Sequence, residues 1–326
     1  MEQEIINLRQ RVSLIKKICE QMAKQEKCLL CQRETTSFCN SHSIPQFVLK
    51  NIAENGQVFT NHVFLDFGIK GMTNIKEGIN KAGTFRCICR ECDGKIFSDY
   101  ESPALVSSRS YSSKFLAEIA IKNFLMQLSK RFVEKSIYYS SVQQHDISDY
   151  MEYLSCESNI ALNLLKKRHR IIYQKKLNYR VPMAAQGTFL VYKDLSGRVV
   201  NSIYDNSASL YPIHLCIFPL CNESVILLFI NKNAEPAYSG FIKTFDRLRD
   251  MEKLHYVLYL AVKYTENLFL SPTISPDILK NQNLQMLAKE VYGVPLLTIS
   301  PQDRMANSSN IVYSSIPNLL LEKYHL

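Results

Sequence analysis

Phe85-Arg86-Cys87-Ile88-Cys89-Arg90-Glu91-Cys92-Asp93-Gly94, read with the upstream Cys28-Leu29-Leu30-Cys31, decides the fold of this chain. Thiolates two residues apart grip one Zn²⁺ from a tight turn, and two such pairs complete a tetrahedral cage. Cys28, Cys31, Cys89 and Cys92 are therefore the expected ligands of a structural zinc ion. Between the pairs lies Cys39-Asn40-Ser41-His42-Ser43-Ile44-Pro45, whose Cys39 and His42 also have ligand spacing. A compact site of Cys28, Cys31, Cys39 and His42 is the alternative, and it would remove His42 from any chemistry. Cys87 and Cys89 alternate across an extended segment, so both cannot easily face one ion. Cys89 is preferred because it sits in register with Cys92. Cys19, Cys156, Cys216 and Cys221 stand in apolar contexts and read as small core residues.

Working outward, the chain has 326 residues, enough for two domains with real cores. With 46% hydrophobic and 21% charged residues it falls in the ordinary soluble class, not the disordered or membrane-embedded ones. The longest apolar run, within Ser224 to Ile230, is strand-sized and too short to span a bilayer. Glu2, Glu4, Arg9 and Arg11 interrupt any apolar leader. Ten cysteines without a secretory signal point to a reducing compartment, the cytoplasm, and to metal ligands before disulfides. No membrane partner is expected.

The formal net charge is +9, unevenly spread. From Asn159 to Lys193 there is no acidic residue, while Lys166, Lys167, Arg168, Arg170, Lys175, Lys176, Arg180 and Lys193 are basic. Such a block suits a phosphate backbone, since each neutralised phosphate releases counterions. The bland counterpart is a solvated helix face.

The spacing predicts an α+β chain: a zinc-bound treble-clef or ββα module, then a helical region, then a mixed α+β C-terminal domain. Residues 1–27 form an amphipathic helix, with Ile5, Leu8, Val12, Ile15, Cys19 and Met22 at helical steps. Residues 28–103 are the cysteine-bearing module. Pro45 to Ala53 reads as a helix with Pro45 in its first turn, Asn55-Gly56 as a turn, and Cys92 to Glu101 as a helix opening at the second thiol pair. Residues 104–180 are the helical basic region, with helices over Tyr111 to Val133 and Ser158 to Tyr179, the second carrying the basic block. Gln143 to Asp146 connects them. In the C-terminal domain, 181–300, Gly187 to Tyr192, Ile213 to Phe218 and Ser224 to Ile230 read as strands, Asp194 to Gly197 as a turn, and helices resume from about Phe241 to Leu270. The tail, 301–326, is expected to be only partly ordered.

Cys28-x-x-Cys31, then Ser41-His42-Ser43-Ile44-Pro45, then Cys89-x-x-Cys92-Asp93, resembles the zinc-stapled HNH nuclease pattern over residues 28–101. The resemblance implies a ββα unit held by two thiol pairs, with His42 on the first strand and a metal ligand in the final helix. It implies hydrolysis of nucleic-acid phosphodiesters, DNA ahead of RNA, and by analogy a part in bacterial defence against phage. On that view His42 is the general base. Mg²⁺ or Mn²⁺ serves at the phosphate, with Asp93 its hard ligand and Glu101 a distant second. Lys95 and the basic helix hold the strand. Two positions depart from the pattern. Ser41 stands where many HNH enzymes carry Asp or His, and the central Asn has only Asn61 and Asn74 as counterparts; Ser98 is a further option for the helix position. Segments 41–58, 82–101 and 265–272 also resemble a group of poorly characterised bacterial proteins, a match that implies no activity. The competing reading is a non-catalytic zinc-stapled module that binds nucleic acid or a protein partner. His62 and His169 lack comparable context and read as structural.

Overall fold

The computed structural model describes residues 2–64, 75–140, 147–166, 168–202, 209–292 and 311–326. In chain order they form α1 (Glu2–Met22), β1 (Ser41–His42), α2 (Gln46–Lys50), β2 (Gln57–Thr60), β3 (Lys76–Gly78), β4 (Thr84–Phe85), α3 (Arg90–Ile96), α4 (Pro103–Val106), α5 (Ser113–Ser140) and α6 (Ile147–Lys166). There follow β5 (His169–Leu177), β6 (Met183–Phe189), β7 (Ile213–Pro219), β8 (Ser224–Asn231), α7 (Glu235–Asp246), α8 (Asp250–Tyr264), β9 (Leu268–Leu270), α9 (Pro276–Leu279) and α10 (Gln282–Tyr292). The chain is thus mixed α+β, as expected. None of the described helices is long and apolar enough to cross a membrane.

Seven strands make one antiparallel sheet in the order β3-β2-β9-β6-β7-β8-β5. Strands β7 and β8 are buried at every residue. That happens because both faces are covered, so neither face retains the polar alternation of a half-solvated sheet. Ile213, Leu215, Ile217, Ile226, Leu228 and Ile230 face one core, with Phe241, Phe245 and Leu258 of α7 and α8. Cys216, Phe218, Val225, Leu227 and Phe229 face the other, with Phe115, Ile119 and Phe124 of α5 and with the cysteine-bearing module. Strands β2 and β3 come from that module, so the sheet draws on residues from 57 to 270 and joins the module directly to the later strands.

A second, two-stranded sheet pairs β1 with β4, Ser41 opposite Phe85 and His42 opposite Thr84. Ser41 of this strand pair donates to Asp93 of α3 (2.6 Å), which ties the pair to the helix. Asn55 (φ 51°) and Gly56 (φ 72°) both take left-handed conformations in the tight turn between Glu54 and Gln57. A two-residue turn of this hand demands that, which explains the Asn-Gly pair.

Several expectations need correction. Ser158 to Tyr179 is not one helix: α6 ends at Lys166 and β5, an edge strand, begins at His169. The apolar pattern around Ile171, Ile172 and Tyr173 is β-branched and aromatic, which suits a strand paired to β8. The helices expected from about Phe241 to Leu270 are α7 and α8, but they begin at Glu235 and stop at Tyr264, and Leu268–Leu270 is β9, paired to β2 and β6. The tail beyond residue 310 is packed, with Ile316, Leu319 and Leu320 buried in the core. The expected connector at 143–146 and Asn74 lie outside the described residues.

Candidate functional site

The first knuckle closes because Gln32 adopts φ 58°, letting its N–H reach the Cys28 carbonyl (2.8 Å) while the Cys28 N–H reaches Arg33 (2.9 Å). The second knuckle opens α3, with Cys89 as its N-cap. Backbone N–H groups aim at sulfur: Cys89 N–H at Cys28 Sγ (3.3 Å) and Cys92 N–H at Cys89 Sγ (3.5 Å). The ligand atoms of Cys28, Cys31, Cys89 and Cys92 all lie within 4.8 Å of one another, and Cys31 and Cys89 sulfurs are 3.9 Å apart. Zn–S bonds of about 2.3 Å in a tetrahedron place sulfurs roughly 3.8 Å apart, so the donor set fits zinc. Bound there, the ion would act as a structural staple and draw the protons from all four thiols. Arg33 donates to Cys31 Sγ (3.4 Å) and pairs with Glu91 (2.5 Å). Its hydrogen bonds hold the Cys31 thiol down to about 6. Burial pushes the Cys92 thiol up.

The Cys₃His alternative does not form. Cys39 donates to Asp93 Oδ2 (3.2 Å), and burial together with that carboxylate pushes its thiol up to about 11. Cys87 is buried against Leu125. Cys19, Cys156 and Cys216 are buried, while Cys221 is exposed and not a core residue.

His42 sits on β1 with Nε2 2.9 Å from the Ile79 carbonyl. A carbonyl only accepts, so Nε2 carries the proton and Nδ1 the lone pair. Burial lowers the ring's affinity for a second proton, helped by the Lys122 charge and opposed by the Ile79 bond and Asp93.

Beside His42 lies a polar cluster that the sequence reading did not anticipate. The Lys122 ammonium, on α5, is fully buried (0% exposed) and donates to Ser41 Oγ (2.7 Å) and Asp93 Oδ1 (2.8 Å), with Glu101 Oε1 at 3.5 Å. Ser41 Oγ in turn donates to Asp93 Oδ1 (2.6 Å). The rings of Phe97, Phe85 and Tyr100 stand 4.3, 5.9 and 5.9 Å from the nitrogen. Burial works to raise Asp93, but the Lys122 charge and the bonds from Lys122, Ser41 and Cys39 prevail and hold the carboxyl below its usual range. Burial, joined by the Asp93 charge, carries Glu101 above its usual range against the pull of Lys122. The one signal in the sequence is a lysine inside the buried stripe of Ile119, Ala120, Phe124 and Leu125.

This arrangement does not fit Mg²⁺ or Mn²⁺ held by Asp93. Both Asp93 oxygens accept bonds from side-chain donors within 3.2 Å, and Ser41 is occupied as donor and acceptor. A hard dication needs several free oxygens, which Asp93 and Ser41 do not offer.

The strand carrying His42 is fixed from behind. Ser43 Oγ donates to the Gly83 carbonyl (2.8 Å) and accepts from Asn267 (2.5 Å), while the Tyr100 hydroxyl contacts the Ser43 carbonyl and Gln186 Oε1 (2.7 Å). Gln186 donates to Asn123 (2.8 Å), which donates to the Gly187 carbonyl (3.1 Å).

Of the expected nucleic-acid contacts, Lys95 is exposed and paired with Glu91 (2.8 Å). Arg170 pairs with Glu235, Lys175 with Asp250 (2.7 Å) and Lys176 with Glu223 (2.8 Å). Arg168 is exposed, Arg180 is half-buried, Lys167 lies outside the described residues, and only the backbone of Lys166 is described. Arg170, Lys175 and Lys176 lie on the edge strand β5, not on a helix face. Asn61 is buried and donates to the Thr265 carbonyl (3.2 Å). Compared with known families, curated proteins and solved structures, the chain gives no match. The fold and site define an α+β protein with a four-cysteine cluster able to bind zinc.

Proposed function

We propose that the chain hydrolyses nucleic-acid phosphodiesters in an HNH-like manner, with His42 as general base on a strand pair next to a zinc-stapled helix. The observation that carries this is the His42–Ile79 bond, which orients the ring and leaves Nδ1 as its basic atom. Its lowered proton affinity keeps the ring neutral at pH 7, ready to take a proton from an attacking water. Arg86, exposed just after β4 and beside Asn40 (3.4 Å), is a cation available to hold the phosphate. Lys95, Arg168 and Lys176 supply further exposed positive charge. The reading places the protein in the cytoplasm, where free thiols persist. Its defensive role rests on analogy alone.

A second reading is favoured by the hold of Lys122 on Asp93: a non-catalytic zinc-stapled module that binds nucleic acid or a protein partner. Supercoiled plasmid separates the two. Zinc-loaded protein should nick it at neutral pH, with the rate rising along an acid limb and levelling once His42 is neutral. His42→Ala should lose about 10²-fold or more while keeping zinc and melting behaviour. Full activity in that variant removes His42 as the base; a gel shift without nicking in the parent protein selects the binder.

A further inference from the structure

An ammonium buried to 0% exposure among three aromatic rings, and held by one hydroxyl and two carboxylates, is an internal cation. It reaches the two side chains, Ser41 and Asp93, to which the HNH resemblance would give a divalent ion. We propose that Lys122 is the resident cation of this site and excludes a divalent metal from it. It thereby acts as a positioning residue that orders Ser41, Asp93 and Glu101 beside His42.

The chemistry is consistent on three counts. One oxygen of Asp93 meets Lys122 and Ser41 together, and the other meets Cys39, so the carboxylate is satisfied without a metal. Ser41, a poor ligand for a hard dication, is a good partner for an ammonium because a hydroxyl accepts from Lys122 while donating to Asp93. The rings of Phe97, Phe85 and Tyr100 add cation–π attraction for the desolvated ammonium. The side chains of Asp93 (24%) and Glu101 (42%) open to solvent while Lys122 lies beneath them, so the cation neutralises one carboxylate from inside the fold.

The inference rests on the proposed function only in naming what the ordered cluster serves, and its test needs no turnover. Mn²⁺ is titrated into the zinc-loaded full-length protein and the free ion followed by electron paramagnetic resonance. The parent protein should bind no Mn²⁺ that depends on Asp93 at concentrations up to about 1 mM, and Asp93→Asn should leave its titration unchanged. Lys122→Met should acquire one Mn²⁺, lost again in the Lys122→Met, Asp93→Asn pair, and should melt roughly 10 °C lower, whereas Lys122→Arg keeps the parent's behaviour. Should Lys122→Met fail to fold, the titrations of the parent and of Asp93→Asn still decide. A parent protein that takes up Mn²⁺ and loses it in Asp93→Asn overturns the proposal. Absence of plasmid nicking in a Mn²⁺-free parent protein would instead count against the hydrolase and leave Lys122 in its place.

Discussion

At Gly83 the backbone has φ +64°, and a methyl group there would lie 2.9 Å from Asn267 Oδ1 and 3.1 Å from Ser43 Oγ. The absent side chain lets the strand carrying His42 meet β9 through the Ser43–Asn267 bond. Gly83→Ala should therefore cost about 2–3 kcal/mol in chemical denaturation, combining left-handed strain with a clash against a buried hydrogen bond. Gly56→Ala has a similar φ but nothing within 4 Å, so it should cost only about 1 kcal/mol. Equal losses would show that the clash counts for nothing. The thiol pairs were legible in the sequence because ligand spacing is a local property. Lys122 was not, because the groups that hold it, Ser41, Asp93 and Glu101, come from distant segments and no local pattern marks them.

Elements read correctly where one periodicity ruled and failed where two were spliced. The strand expected at Ser224 to Ile230 is β8, and the helix expected over Tyr111 to Val133 is α5, which starts at Ser113 and runs on to Ser140. The segment 158–179 misled because the end of α6 and the start of β5 are joined by charged residues, which belong equally to a helix face or an edge strand. Lysines on an edge strand discourage pairing with another chain, and that is a sufficient structural role for part of the basic block. Strand β5 also carries His169, whose two ring nitrogens are buried without a hydrogen-bond partner. Its ring stands 5.4 Å from Phe229 and 6.1 Å from His214, and burial drops it to about 4. A folded-state value below the unfolded one of about 6.5 means the unfolded chain binds more protons between those two values. Stability should accordingly fall as pH drops from about 6.5 to about 4, by on the order of 2 kcal/mol from this group. His169→Phe should flatten that part of the melting-temperature profile; an unchanged slope would assign it elsewhere, His214, His42 and His255 being the other imidazoles whose proton affinity burial lowers.

The molecule as a whole is organised by two devices. The seven-stranded sheet joins residues from 57 to 270, and the four-cysteine cluster ties the turn after α1 to the start of α3. A sequence divided into consecutive modules could not reveal that β2, β3 and β9 share one sheet, because strands of three or four residues carry too little pattern to be paired by inspection. The polar links from Ser43 to Tyr100, Gln186 and Asn267 make the strand pair bearing His42 part of the same body as the sheet.

The cluster supports everything placed upon it, and X-ray absorption at the zinc edge on purified full-length protein tests it most directly. About one zinc per chain, in a shell of four sulfurs at roughly 2.3 Å, is the expected result, collapsing on Cys31→Ser together with the melting transition. Metal-free protein with the same melting behaviour, or a shell containing nitrogen or oxygen, would contradict the account.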